Sequence, residues 1–305
     1  MANDGKVKQH IPKEKRYSMR DFNIEFPDDS SCLEYIKEQR WPNGMAACAK
    51  CGKETKHYRV GNRTAYACQS CGAHIYPLAG TIFEKSSTSL KTWFYAMYLM
   101  GSTRCGISAK QVQRETGVTY KTAWRMFKQI RSLLSEGDLQ LEGPTVEVDE
   151  TYVGGVRKYG AGRAMRGDKK KTAVVGIVQR KGLAITKVVD QVTAKRLVGL
   201  IRKHVVPGST VYTDEFPSYN TVAKAKRYVH RRINHSHRRY VVGDIHTNSV
   251  EGLWSLIKRG IGGVYHSVSR KHLQGYLDEY CFRYNRRHEG NRQFKAILVR
   301  ASRSV

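Results

Sequence analysis

Asp149 in VEVDETYVGG, Asp214 in VYTDEF, and Asn248, Glu251 and Lys258 in HTNSVEGLWSLIKR are the residues of this chain best placed to do chemistry. The first lies on an alternating apolar segment, the second at a strand end, and the cluster on an amphipathic helix. Two carboxylates at neighbouring strand positions, with a third group from a packed helix, can hold two magnesium ions. Such a pair clamps the attacking and leaving oxygens of an in-line phosphoryl displacement.

Within VEVDETYV, Val146 and Val148 face one side, and Glu147, Asp149 and Thr151 the other. A carboxylate in an apolar strand is costly unless paired or metal-bound; the competing reading of Asp149 is a salt bridge to one of many basic residues. Glu150 falls with the valines and takes a supporting role. Glu147 shares the face of Asp149 but lies toward the strand start, and is left outside the set. Asp214 ends a strand, where α/β sheets place ligand groups; an N-cap for the next segment is the rival reading. Asn248 and Glu251 are three apart, and Glu251 and Lys258 seven, so all follow one helix face. Leu253, Trp254, Leu256 and Ile257 supply the core-facing side.

Four of the seven cysteines form the pairs Cys48-x2-Cys51 and Cys68-x2-Cys71, separated by sixteen residues. Each pair presents two thiolates, and together they complete a tetrahedral zinc site. Gly52 and Gly72 follow the pairs, where a knuckle must turn. Four thiolates leave no open position, so one structural Zn²⁺ is expected and neither His57 nor His74 is needed. Cys32, Cys105 and Cys281 read as buried small apolar residues.

The elements around these residues divide the 305-residue chain. Residues 1–20 read as a flexible basic arm and 21–80 as a zinc ribbon, opened by the helical CLEYIKEQR and stopped at Trp41-Pro42-Asn43-Gly44. Residues 81–142 are helical. Ser108 caps a helix over Ala109 to Thr116, Gly117 turns the chain, and Thr119 caps a second helix. That is helix-turn-helix chemistry, with Tyr120, Lys121, Thr122 and Arg125 at the exposed start of the DNA-reading helix. A small bundle that reads nothing is the alternative. Residues 143–290 run three strands, helix, strand, helix, strand, helix, which fits an α/β, ribonuclease-H-like mixed sheet with flanking helices. Residues 291–305 read as a basic tail.

A formal net charge of +28 and a pI near 9.9 mark a nucleic-acid partner, because a basic surface releases the counterions condensed on phosphates. No run of about 18 apolar residues is available for a membrane span. The N-terminal segment lacks the apolar core of a secretory signal. Cysteines in a non-secreted chain point to metal or free thiols, so a cytoplasmic, nucleoid-associated location is expected.

VDETYVGG, YTDEF and HTNSVEGLWSLIKRGIGGVYHSVSRKHLQGYLDEYCFRYNRR resemble the catalytic domain of Merlin-related, ISXO-type bacterial insertion-sequence transposases. RWPNG, the two CxxC knuckles and GTIFEKSSTSLKTWFYAMYLM resemble the N-terminal half of that family, so the likeness runs from Asp21 to Arg287. ACAKCG departs from it, since the family often has Pro after the first Cys. The resemblance implies Asp149 and Asp214 as the first two ligands of two Mg²⁺ (or Mn²⁺) ions. It allows Asn or Glu as the third; Glu251 is preferred because a carboxylate binds magnesium better than an amide. Asn248 is then a second ligand or an orienting group, and Lys258 holds phosphate. It further implies binding of double-stranded DNA at terminal inverted repeats, freeing of 3′ ends, and strand transfer into target DNA. Loops 156–171 and 227–240 would track the backbone, and a homo-oligomer would join two ends. The rivals are an inactive, sequence-specific DNA-binding regulator and a structure-selective nuclease.

Overall fold

Alternation in TVEVDETYV and the continuous apolar run TAVVGIVQ produce the two longest strands, β5 (Thr145–Val153) and β6 (Thr172–Gln179), paired antiparallel. They belong to a computed structural model that describes residues 16–103, 105–154, 171–224, 227–232, 247–290 and 293–303. The chain divides into two units, Met1–Leu133 with Arg286–Val305, and Leu134–Asn285.

In Leu134–Asn285, β7 (Ala184–Val189) pairs antiparallel with β6, while β8 (Thr210–Thr213) and β9 (Val229–Arg232) add in parallel on the other side of β5. The strand order is β7-β6-β5-β8-β9, the mixed ribonuclease-H-like sheet. Both faces are covered, as a central strand without polar alternation requires. On one face Val146, Val148, Val175 and Ile177 pack with Leu197 and Ile201 of α6 (Ala194–His204) and in one cluster with Val222 of the short α7 (Asn220–Lys224). On the other, Val153, Val174 and Val178 pack with Val250, Leu253 and Ile257 of α8 (Asn248–Gly260) and Leu273 and Leu277 of α9 (Arg270–Asn285). The β7 edge is closed by α9 side chains. Val188 N–H donates to Gln274 Oε1 at 2.9 Å, and Ala184 N–H to Asn285 Oδ1 at 2.7 Å. An edge whose amides are taken offers no template for another chain.

The other unit holds α1 (Met19–Glu25), α2 (Asp29–Arg40), an antiparallel sheet of β1 (Met45–Ala47), β2 (Glu54–Arg59), β3 (Tyr66–Cys68) and β4 (His74–Ile75), and three further helices. These are α3 (Leu90–Ser102), α4 (Ala109–Thr116) and α5 (Tyr120–Ser132). The last helix of the chain, α10 (Gln293–Ser302), packs on α3, where a Cβ on Gly101 would meet the Phe294 backbone nitrogen at 2.7 Å. Phe294 joins Phe22, Phe26 and Tyr98 in one aromatic cluster.

Three boundary expectations change. Residues 293–302 form a buried-faced helix of the first unit instead of a basic tail, because Phe294, Ile297, Leu298 and Ala301 repeat on one face. Ser18, placed in the flexible arm, caps α1 through a reciprocal pair with Asp21. The second unit begins at Leu134, whose side chain is buried, and not at 143. Loop 156–170 and residues 233–240, expected to follow DNA, lie outside the described residues. No described helix is long and apolar enough to cross a membrane.

Candidate active site and zinc centre

Parallel pairing of β5 with β8 sets Glu147 opposite Tyr212. Two residues further along each strand come Asp149 and Asp214, at the carboxyl end of β8, where neighbouring strands leave a crevice. Oxygens of Asp149, Glu150 and Asp214 all lie within 4.8 Å of one another. Glu251 is not part of that group. It stands on the first turn of α8, where its Oε1 accepts the Thr247 hydroxyl at 3.1 Å, and its charge acts on Asp149. Asn248 opens the same turn and is exposed; Lys258 is exposed near the helix end.

Each carboxylate has a fixed orientation. The Trp254 indole Nε1–H donates to Asp149 Oδ2 at 2.8 Å, and the Tyr219 hydroxyl to Glu150 Oε2 at 2.7 Å. Phe216 N–H donates to Asp214 Oδ1 at 3.0 Å, closing the turn after β8. The indole reaches Asp149 because the residue opposite it is Gly176, where a Cβ would meet the ring at 2.6 Å. Burial raises the Asp149 pKa, and the charges of Asp214 and Glu251 add to it against the indole hydrogen bond. Glu150 is raised in the same way, by burial first and then by Asp214 and Asp149, against the Tyr219 hydrogen bond. Asp149 thus faces an indole and other acids; among the described residues the salt-bridge reading finds no support. Half-buried carboxylates that repel one another are a donor set suited to divalent cations, whose hard charge takes oxygen ligands.

The sequence reading named Asp149, Asp214, Asn248, Glu251 and Lys258, and the fold gathers the first two. It left Glu150 in a supporting role, Trp254 in the core and Tyr219 without a role. The one local signal for the Trp254 contact was a glycine in the middle of a buried strand, which marks close approach of another group.

The zinc site is built from two equivalent hairpins. Gly52 N–H donates to Cys48 O and Gly72 N–H to Cys68 O, each at 2.9 Å, with φ of +70° and +71° at the glycines. Cys48 and Cys71 sulfurs are 3.5 Å apart, and those of Cys51 and Cys68 3.8 Å. Zn–S bonds of about 2.3 Å place tetrahedral sulfurs about 3.8 Å apart, so the cluster fits the ion. Amide N–H groups of Cys51 and Lys50 directed at the Cys48 sulfur pull its pKa down to about 6. Neither His57 nor His74 belongs to the cluster. Cys32 and Cys281 are buried as expected, but Cys105, in the connection between α3 and α4, is exposed.

At α4 and α5, Gly117 takes a φ of +73° and Thr119 Oγ1 accepts the Thr122 N–H at 3.2 Å. Tyr120, Lys121 and Arg125 are exposed, with Lys110 Nζ 5.0 Å from the centre of the Tyr120 ring. The Thr122 hydroxyl is 3.0 Å from that of Thr119 and is engaged at the cap.

A sheet of this order, with acids gathered beside its central strands, defines a ribonuclease-H-like domain with a candidate metal-dependent phosphoryl-transfer site. Residues 140–285 match the ISXO2-like transposase domain, and residues 27–74 match the transposase zinc-ribbon domain. The chain is similar to an uncharacterized protein in transposable element ISH50 of Halobacterium salinarum, 29% identical over 301 residues, covering 90% of this chain and 98% of that protein. An uncharacterized transposase-like protein of Haemophilus influenzae is 34% identical over 100 residues, covering 33% of this chain and 79% of that one. The crystal structure of the Mos1 strand transfer complex aligns over 66% of this chain and 75% of that chain, with a TM-score of 0.30 and 12% identity.

Proposed function

We propose that this chain is an active DNA transposase that binds the terminal inverted repeats of its insertion sequence, hydrolyses phosphodiester bonds at its ends and transfers the freed strands into target DNA. The observation that carries the proposal is the convergence of Asp149, Glu150 and Asp214 oxygens within 4.8 Å, beside the helix bearing Asn248 and Glu251. Asp149, Asp214 and Glu251 would hold Mg²⁺ or Mn²⁺, with Glu150 and Asn248 as the nearest additional oxygen donors. Two bound cations supply Lewis acidity to the attacking and leaving oxygens of the phosphoryl group. Trp254 and Tyr219 hold the Asp149 and Glu150 carboxylates in place, so little reorganisation is needed when the site is loaded. Lys258, exposed further along α8, gives a cation for a phosphate of the bound strand. Tyr120, Lys121 and Arg125 would meet base edges or phosphates, and Thr122 would act through the cap. Joining two ends calls for at least two copies of the chain in the assembled complex.

A DNA-binding regulator needs no half-buried acidic cluster, which is why the enzyme is preferred. The test is strand cleavage of DNA flanking the gene, with Mg²⁺, by the wild type and by Asp149→Asn. Nicks positioned at flanking repeats that vanish in the variant are expected. Tight binding to those repeats without cleavage by the wild type would establish the regulator instead. Cleavage of branched DNA regardless of end sequence would make it a structure-selective nuclease.

A further inference from the structure

Glu147, set aside by the sequence reading, is fully buried on β5 and takes hydrogen bonds on both oxygens. Its Oε1 accepts from Arg180 Nε at 2.8 Å and from the Ser249 hydroxyl at 3.1 Å. Its Oε2 accepts the backbone N–H of Ser249 at 2.8 Å and of Val250 at 3.1 Å. Those two amides belong to the second and third residues of α8, the groups that a helix's own N-cap side chain ordinarily satisfies. Thr247 occupies the N-cap position and makes no such bond; its hydroxyl goes to Glu251 instead. The Arg180 guanidinium also lies 4.4 Å from the centre of the Tyr212 ring, and Tyr212 is the register partner of Glu147 on β8. A single buried carboxylate therefore ties β5, the turn that follows β6, and α8 together, and through Arg180 touches β8.

We infer that Glu147 is a positioning residue for the active site: its clasp on the first turn of α8 sets where Asn248 and Glu251 stand relative to Asp149 and Asp214. The inference rests on the metal-site reading above. Asp149 is two residues along β5 from Glu147, and Asp214 two residues along β8 from Tyr212, so the clasp references the helix to the same strands that carry the other ligands. Ligand sets must be held to within about 0.5 Å to work, and hydrophobic packing of Val250, Leu253 and Ile257, being non-directional, leaves the helix some freedom along its own axis beyond what the Trp254–Asp149 bond fixes. Charge-assisted bonds from two helix amides to a fixed oxygen remove that freedom.

The experiment measures Mn²⁺ binding to the full-length, zinc-loaded protein without DNA, by electron paramagnetic resonance. Glu147→Asp keeps the charge and withdraws the carboxylate by one methylene. With zinc content and a cooperative melt retained, its Mn²⁺ affinity is expected to fall about tenfold or more, the range for groups that orient metal ligands. Ser249→Ala, which removes the hydroxyl bond to Glu147 Oε1, is expected to weaken Mn²⁺ about threefold. Ile257→Val, buried on the same helix, should lower the melting temperature and leave Mn²⁺ affinity unchanged, which separates positioning from general stability. A folded Glu147→Asp with wild-type affinity overturns the inference. If that variant does not fold, Ser249→Ala decides, and unchanged affinity there overturns it. Asp149→Asn with wild-type Mn²⁺ affinity removes the metal site itself, a different failure from a clasp that does not matter.

Discussion

An ionised carboxylate half out of water beside two others is unfavourable until a cation joins them, and Asp149 and Glu150 are in that position. Their folded-state pKa values are raised, chiefly by burial. Stability from these two groups is therefore fully present below the ordinary carboxylate range, where both are protonated, and is lost as pH rises through the raised values. In chelator, Asp149→Asn is expected to gain stability over the wild type as pH rises from about 4 to 7, measured by urea midpoints. Adding Mn²⁺ at pH 7 should raise the midpoint of the wild type only. An equal gain in the variant would mean that the ion binds elsewhere. Trp254→Phe keeps the packing and removes the indole donor to Asp149, so cleavage should drop roughly 10–100-fold at fixed Mg²⁺. An unchanged rate would make that hydrogen bond incidental. Asp149 and Asp214 were legible because a charged residue on an apolar strand calls for an explanation. Trp254 and Glu147 were not: the Trp254–Asp149 and Ser249–Glu147 bonds span 105 and 102 residues, and alternation gives a face without giving what covers it.

At the scale of elements, the parts whose chemistry is local were the ones read correctly in detail. Ser108, Gly117 and Thr119 punctuate α4 and α5 at the expected positions, since caps and left-handed glycines act within one turn. The zinc hairpins follow likewise from CxxCG. Strand order and the closure of β7 by Gln274 and Asn285 of α9 depend on contacts far apart in sequence, and periodicity carries no such information. Helix α10 was missed because its basic residues outweighed the apolar repeat that faces α3. Two helical glycines should respond in opposite directions. Gly199 in α6 has open space where a Cβ would go, so Gly199→Ala is expected to stabilise by about 0.5–1 kcal/mol. At Gly260, where α8 ends, a Cβ would fall on the Tyr280 hydroxyl, and Gly260→Ala is expected to cost about 1–3 kcal/mol or more. Urea denaturation of both variants checks the pair; stabilisation at Gly260 would contradict the packing of α8 on α9.

The whole molecule combines a small metal-stapled sheet, a helical module and a nuclease-like domain under a net charge of +28. Cys68→Ser should lower bound zinc from about one per chain to near zero, because binding and folding of such knuckles are coupled. Binding to terminal repeats should weaken with it, while the cooperative unfolding of Leu134–Asn285 persists. Retained zinc would mean that the four sulfurs are not its ligands. The path of the backbone has a further consequence. The unit that starts the chain is finished by α10, and the ribosome makes all of Leu134–Asn285 between α5 and that helix. At about 5–20 residues per second, the helical module waits roughly 10–30 s for its last piece. A nascent chain arrested before Phe294 lacks a ring of the aromatic cluster around Phe22 and Tyr98. Under the proposed function, such fragments should fail to mature as free DNA-binding modules and should not compete with the full-length protein for DNA. Co-expression of a chain stopped after Asn285 tests this: transposition by the full-length protein should be undiminished.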